Sequence, residues 1–96
     1  MKETFTPFNP MEVLHTEEEV VEYLTQCYHD EDPRTFIVAL GYVAKAKGFG
    51  KIAKQTGLNR ENLYRTFSGD GRSKPHFDTV HRVLKALNID VSLKPL

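Results

Sequence analysis

Apolar positions along the chain change period as it proceeds, and the changes predict five helical segments followed by a short extended one. Residues 1–15 carry Pro7 and Pro10 around Phe8 and Asn9. Proline fixes φ and lacks an N–H, so this stretch predicts an extended arm anchored by Phe5 and Phe8. Thr16-Glu17-Glu18-Glu19 has the form of a capping box, and three acids in a first turn complement the helix dipole. Val20, Val21, Leu24 and Tyr28 then form the expected apolar stripe. Asp32-Pro33 predicts a second start, with Asp at the N-cap and Pro at the first helical position. Phe36, Ile37, Leu40, Val43 and Ala44 give its buried face, and Gly48 its end. Gly41 inside that helix costs about 1 kcal/mol relative to Ala, which the close approach of another helix would explain.

Lys51–Thr56 and Arg60–Phe67 predict two short helices separated by Gly57, with Asn59 as the N-cap of the second. Ser68–Pro75 is a turn-forming loop by composition. Asp78 is the expected cap of a last helix on which Phe77, Val80, Val83, Leu84 and Leu87 share a face, and Asn88 is its expected stop. Ile89–Leu93 alternates with period two and predicts a short C-terminal β-strand. One strand is unstable alone, so it needs the arm or the same strand of a second copy, and the second option predicts a homodimer. The expected fold class is therefore all-α, about five helices with one short C-terminal strand. A single domain is expected over residues 16–96 behind the arm, with no internal repeat.

Composition adds limits. Hydrophobic residues make 40% of the 96 and charged residues 27%, a balance that supports one modest packed core and argues against disorder. The longest nearly unbroken apolar run, Phe36 to Ala44, is about half of what a membrane span needs. Met1 to Phe5 offers no apolar signal region, and the lone Cys27 excludes an intrachain disulfide, so cytoplasmic residence is expected. The chain is neutral in sum but divided in place. Up to Asp32 nine acids face Lys2 alone, a net −8; from Pro33 onward twelve Lys or Arg face four acids, a net +8. Such a division suits a basic part that meets a polyanion and an acidic part that meets a basic partner, or two parts that attract each other.

The basic part carries the most specific spacing. Residues 49–69 have the layout of a helix-turn-helix: Ala53 where two helices cross closely, Gly57 where the turn needs positive φ, and Ile52, Leu58 and Leu63 inward. Asn59, Arg60, Glu61, Asn62, Tyr64 and Arg65 are left on or near the outer face. Arg forks onto guanine and Asn onto adenine, so this face suits a recognition helix in the DNA major groove. The candidate DNA-binding set is Lys51, Lys54, Asn59, Arg60, Asn62, Tyr64, Arg65, Arg72 and Lys74, the outlying cations serving phosphates. Any two short packed helices with a solvated basic face would share part of this pattern, and Tyr64 is equally credible as a packing residue.

The same residues resemble the Xre-type, HigA-like helix-turn-helix antitoxins known as probable addiction-module antidote proteins. The resemblance runs through Pro7-Phe8-Asn9-Pro10, Tyr23-Leu24, Asp32-Pro33, Ala39 to Gly48, Gly57 to Arg65, and Phe77 to Val80, nearly the whole chain. Asn9 stands where Asp is usual, Asn59 and Asn62 where Ser is usual, and the loop before Pro75 looks about two residues longer. The resemblance implies a lambda-repressor-like helical domain that binds its own operator and neutralises a RelE/ParE-superfamily toxin. Basic toxin surfaces make Glu17, Glu18 and Glu22 the candidate toxin-binding residues. A two-fold pair of recognition helices predicts an inverted-repeat operator.

Other chemistry finds less support. Cys27-x-His29 and His76 to His81 match no zinc spacing, Gly69 to Lys74 lacks the order of a phosphate loop, and no Ser or Cys has a base motif. No metal, cofactor or enzymatic activity is expected. A stand-alone repressor without a toxin and a pure protein-interaction module are the alternative readings.

Overall fold

A computed structural model describes residues 13–68 and 73–96 of the chain. Its helices among these residues are α1 (Glu17–Tyr28), α2 (Pro33–Lys47), α3 (Phe49–Thr56), α4 (Arg60–Phe67) and α5 (Phe77–Ala86). Residues 1–12 and 69–72 lie outside them, and with them most of the arm expected over 1–15, including Phe5, Pro7, Phe8 and Pro10, and Arg72 of the expected Ser68–Pro75 loop.

The two N-terminal start signals form as the local chemistry dictates. At α1 the Glu19 N–H donates to Thr16 Oγ1 at 3.1 Å, while the N–H groups of His15 and Thr16 donate to the Glu19 carboxylate at 2.8 and 3.0 Å. This is a closed capping box. At α2 the Asp32 carboxylate accepts the Arg34 N–H at 2.9 Å and the Arg34 guanidinium at 2.8 Å, with Pro33 at the first position. Backbone and side-chain donors on one carboxylate hold the Asp32 pKa below the ordinary range.

The core forms around α2, which packs on α1, α3 and α4, while α5 closes over α3. Leu40, Ile52 and Val83 are its fully buried centre, one each from α2, α3 and α5. Leu24, Ala39, Val43, Ala44, Phe49, Leu63, Phe67 and Leu84 complete it. Gly41 belongs to this contact: an added Cβ would overlap the carbonyl oxygen of Phe67 and stand 3.2 Å from the Phe67 Cβ. The helix approach anticipated from a glycine inside α2 is therefore present, between α2 and the end of α4. Two long polar side chains hold α5 down. Lys47 donates to the Ala86 carbonyl at 2.5 Å and Arg82 to the Thr56 carbonyl at 3.3 Å, each a cation meeting the last carbonyls of a helix.

Four expectations need correction. No C-terminal strand forms: Ile89–Leu96 has no regular structure, and Val91, Leu93 and Leu96 are exposed. Period-two alternation supplies a face but no ladder, and an extended segment without a pairing partner gains no strand hydrogen bonds. What closes α5 is a Schellman turn. Asn88 takes φ 60, its N–H donates to the Lys85 carbonyl and that of Ile89 to the Leu84 carbonyl, both at 3.0 Å. The N-cap of α5 is His76, not Asp78, which lies inside the first turn and accepts from Arg82 at 3.3 Å. Phe77, expected inside, is 78% exposed, because the first helical position points off the end of the core-facing stripe. On α1 the inward row is Val20, Tyr23, Leu24 and Cys27; Val21 and Tyr28 face solvent, Tyr28 meeting Phe36 edge-on at 5.5 Å. No helix among the described residues is long and apolar enough to cross a membrane.

Candidate functional site

Two eight-residue helices, α3 and α4, are joined by a three-residue turn of Gly57, Leu58 and Asn59. The turn is built by side chains as well as by Gly57. Gly57 takes φ 77, a left-handed conformation that a Cβ would strain, and its N–H donates to the Ala53 carbonyl at 2.9 Å. Thr56 Oγ1 donates to the Ile52 carbonyl at 2.7 Å and accepts the Leu58 N–H at 3.1 Å, so one hydroxyl bridges the end of α3 and the turn. Asn59 then caps α4, its Oδ1 accepting the Asn62 N–H at 3.0 Å. Ile52 and Leu63 are buried and Leu58 half-buried, as the inward positions require.

With Leu63 and Phe67 held in the core, the opposite face of α4 must look outward. Arg60, Glu61, Asn62, Tyr64 and Arg65 are all exposed there. Arg60, Glu61, Tyr64 and Arg65 line one open depression together with Phe49 of α3. Within it the side chains are not equivalent. Tyr64 is 56% exposed and rests edge-on against Phe49, ring centroids 5.9 Å apart. Arg60 lies beside Gly50, where a Cβ would stand 3.7 Å from its Nε and 3.8 Å from its Cδ. Arg65 instead turns back along α4 and donates to Asn62 Oδ1 at 2.6 Å.

The outlying candidates divide. Lys51 and Lys54 are exposed on α3, and Lys74 is exposed on the segment entering α5; Arg72 lies outside the described residues. Asn59 is near the face, but its side-chain oxygen is committed to the cap. Sequence reasoning missed Phe49 and Gly50 as the surfaces on which Tyr64 and Arg60 rest, contacts between two helices that no local pattern announces. It also missed Arg82, although its i,i+4 spacing from Asp78 was readable.

The acidic candidates sit elsewhere. Glu17, Glu18 and Glu22 are exposed on α1, a helix with no basic residue, whereas Glu19 is taken up by the capping box. Cys27 is half-buried among core residues, and burial pushes its thiol pKa up, the opposite of what a reactive thiolate needs. Among the described residues no group of three His, Cys, Asp or Glu is placed to hold a metal ion.

Comparison with known proteins gives this surface a context. The family model described as probable addiction module antidote protein matches residues 4–95. A Haemophilus influenzae protein described as uncharacterized is 36% identical over 94 residues, covering 98% of this chain and 95% of the relative. No solved structure matches the chain. The match runs through every helix described above, the turn and the acidic α1 alike, and so the chain belongs to the probable addiction module antidote protein family.

Proposed function

We propose that this chain is the antitoxin of a type II toxin–antitoxin module. It binds operator DNA through α3 and α4, represses its own transcription, and neutralises a RelE/ParE-superfamily toxin. The observation that carries the reading is the outward face of α4: an Asn-capped helix pinned by Leu63 and Phe67 and presenting Arg60, Asn62, Tyr64 and Arg65 to solvent. Membership of an antidote family supports the partner, and the placement of base-reading side chain types on one short exposed helix supports the duplex. The fold in this reading is lambda-repressor-like, with α3 crossing the DNA backbone and α4 entering the major groove.

Lys51 and Lys54 on α3, with Lys74 beyond the loop, take phosphates, and two copies related by a two-fold axis address half-sites about 34–36 Å apart or a multiple of that. The exposed acids Glu17, Glu18 and Glu22 meet the basic surface of the toxin. The whole assembly works in the cytoplasm.

A mobility-shift assay of the full chain on duplex DNA from upstream of its own reading frame tests the reading. A discrete complex that survives excess unrelated duplex supports it. Binding that unrelated duplex removes at the same concentration sinks specific repression.

A further inference from the structure

Resting on that DNA-binding reading, we infer that Asn62 and Arg65 act as one base-reading unit selective for guanine, whereas Arg60 is a backbone-positioning residue. The two arginines of α4 look alike in sequence, both exposed and five residues apart. Their surroundings separate them.

Side chains on a helix lean toward its N-terminus, so Arg65 reaches over the turn that precedes it. There the Asn62 Oδ1 accepts one guanidinium N–H at 2.6 Å. The contact brings the charged fork of a late residue to the first turn of α4, the end of a recognition helix that meets base edges. It also fixes the plane of the fork before any ligand arrives. Four of the five guanidinium N–H groups stay available, enough for the paired donation that guanine O6 and N7 accept and that no other base edge offers. Holding the fork in advance reduces the side-chain ordering that binding would otherwise require. The Asn62 backbone N–H is separately held by the Asn59 cap, so the helix start and the side-chain contact do not compete.

Arg60 is turned the other way. Its Cδ and Nε lie beside Gly50 of α3, the helix that crosses the backbone in this geometry, and Tyr64 leans on Phe49 of the same helix. A guanidinium on that side meets phosphate oxygens, which fix register and carry no sequence.

The test uses the full-length chain and a pool of duplexes with a randomised central segment, sequenced after rounds of binding. Wild type, N62A, R65K and R60A are compared, with circular dichroism to show that each variant keeps the wild-type helix content. Wild type is expected to enrich an inverted repeat with a guanine at one position of each half-site. R65K is expected to lose about tenfold or more of the preference at that position. N62A weakens the same preference in the same direction, and R60A lowers affinity on all sequences while leaving the preference intact. Preference that survives in both R65K and N62A, or that disappears in R60A, overturns the inference while leaving DNA binding standing. No enriched sequence with wild type overturns the DNA-binding reading itself, and the inference with it.

Discussion

The carbonyl oxygen of Phe67 fills the space that a Cβ on Gly41 would need. An absent methyl group in the middle of α2 thus sets how closely the end of α4 can approach, and so how the exposed face of α4 is presented.

Gly41→Ala follows directly from that contact. Alanine gains about 1 kcal/mol of helix propensity, but the clash is with backbone and cannot be relieved by a rotamer change. The expected net effect is a loss of about 1–3 kcal/mol, which for a chain of this size lowers Tm by roughly 4–8 °C per kcal/mol. Thermal unfolding followed by circular dichroism checks it. A variant as stable as wild type would show that α4 can shift for no more than the roughly 1 kcal/mol that helix propensity returns.

Asn88 is the second backbone position where residue type decides stability. Its φ of 60 closes the Schellman turn and seats Ile89 against the core near Leu84. Asn88→Ala puts an ordinary side chain in the left-handed region and is expected to cost about 1 kcal/mol. Asn88→Gly should match wild type or exceed it slightly. Urea midpoints of the two variants give the comparison, and equal losses in both would assign the effect to side-chain contacts instead.

How far these features were legible depends on the range of the interaction behind them. Thr16 with Glu19, Asp32 with Pro33, Gly57, Asn59 and Asn88 are local devices, each satisfying backbone groups within a few residues, and each was readable in the chain. The inward row of α1 was misread by one step because Val20, Val21, Leu24 and Tyr28 fit a helical stripe as well as Val20, Tyr23, Leu24 and Cys27 do. Only packing on α2 chooses between them. The C-terminal alternation had no such arbiter, since a strand is defined by a partner. At the α4 face the residue types were legible but their division was not, because Gly50 and Phe49 reach it from another helix.

Acid should loosen the two N-terminal helix starts before it unfolds the core. Backbone hydrogen bonds from His15 and Thr16 lower the pKa of Glu19, and hydrogen bonds from Arg34 lower that of Asp32. A carboxyl whose pKa is lower folded than unfolded contributes stability above the ordinary range near pH 4 and loses it as pH falls through the folded value. Helix content at the starts of α1 and α2 should therefore decline below about pH 4. Asp32→Asn keeps a good N-cap but removes the titrating charge, so its α2 amides should show a flatter pH response than wild type in NMR. An unchanged response in that variant would place the titration elsewhere.

Operator binding, on the reading proposed above, must weaken steeply with salt. Neutralising roughly six to eight phosphates gives a slope of log K against log salt of about −5 to −7. Replacing Lys51 or Lys54 by Ala removes one phosphate contact each and should make the slope shallower by about 1 without changing which sequence is preferred. Fluorescence anisotropy across a salt series measures both quantities. A flat dependence would exclude the electrostatic footprint assigned to α3.

The acidic face of α1 carries the remaining claim. Glu17, Glu18 and Glu22 are exposed and take no part in the capping box, so reversing them to Lys leaves the fold's own hydrogen bonds intact. Because α1 packs on α2 and α4 on both α2 and α3, the reversal leaves the exposed side chains of α4 in place. On the proposed reading, affinity for a toxin encoded beside this chain is expected to fall at least tenfold in the triple variant, mostly through slower association, since long-range attraction chiefly accelerates encounter. Operator affinity should hold or rise slightly, the added positive charge acting at a distance on DNA. Surface plasmon resonance with both ligands separates the two effects. Undiminished binding of the neighbouring protein would remove α1 from the neutralising surface, even with DNA binding intact.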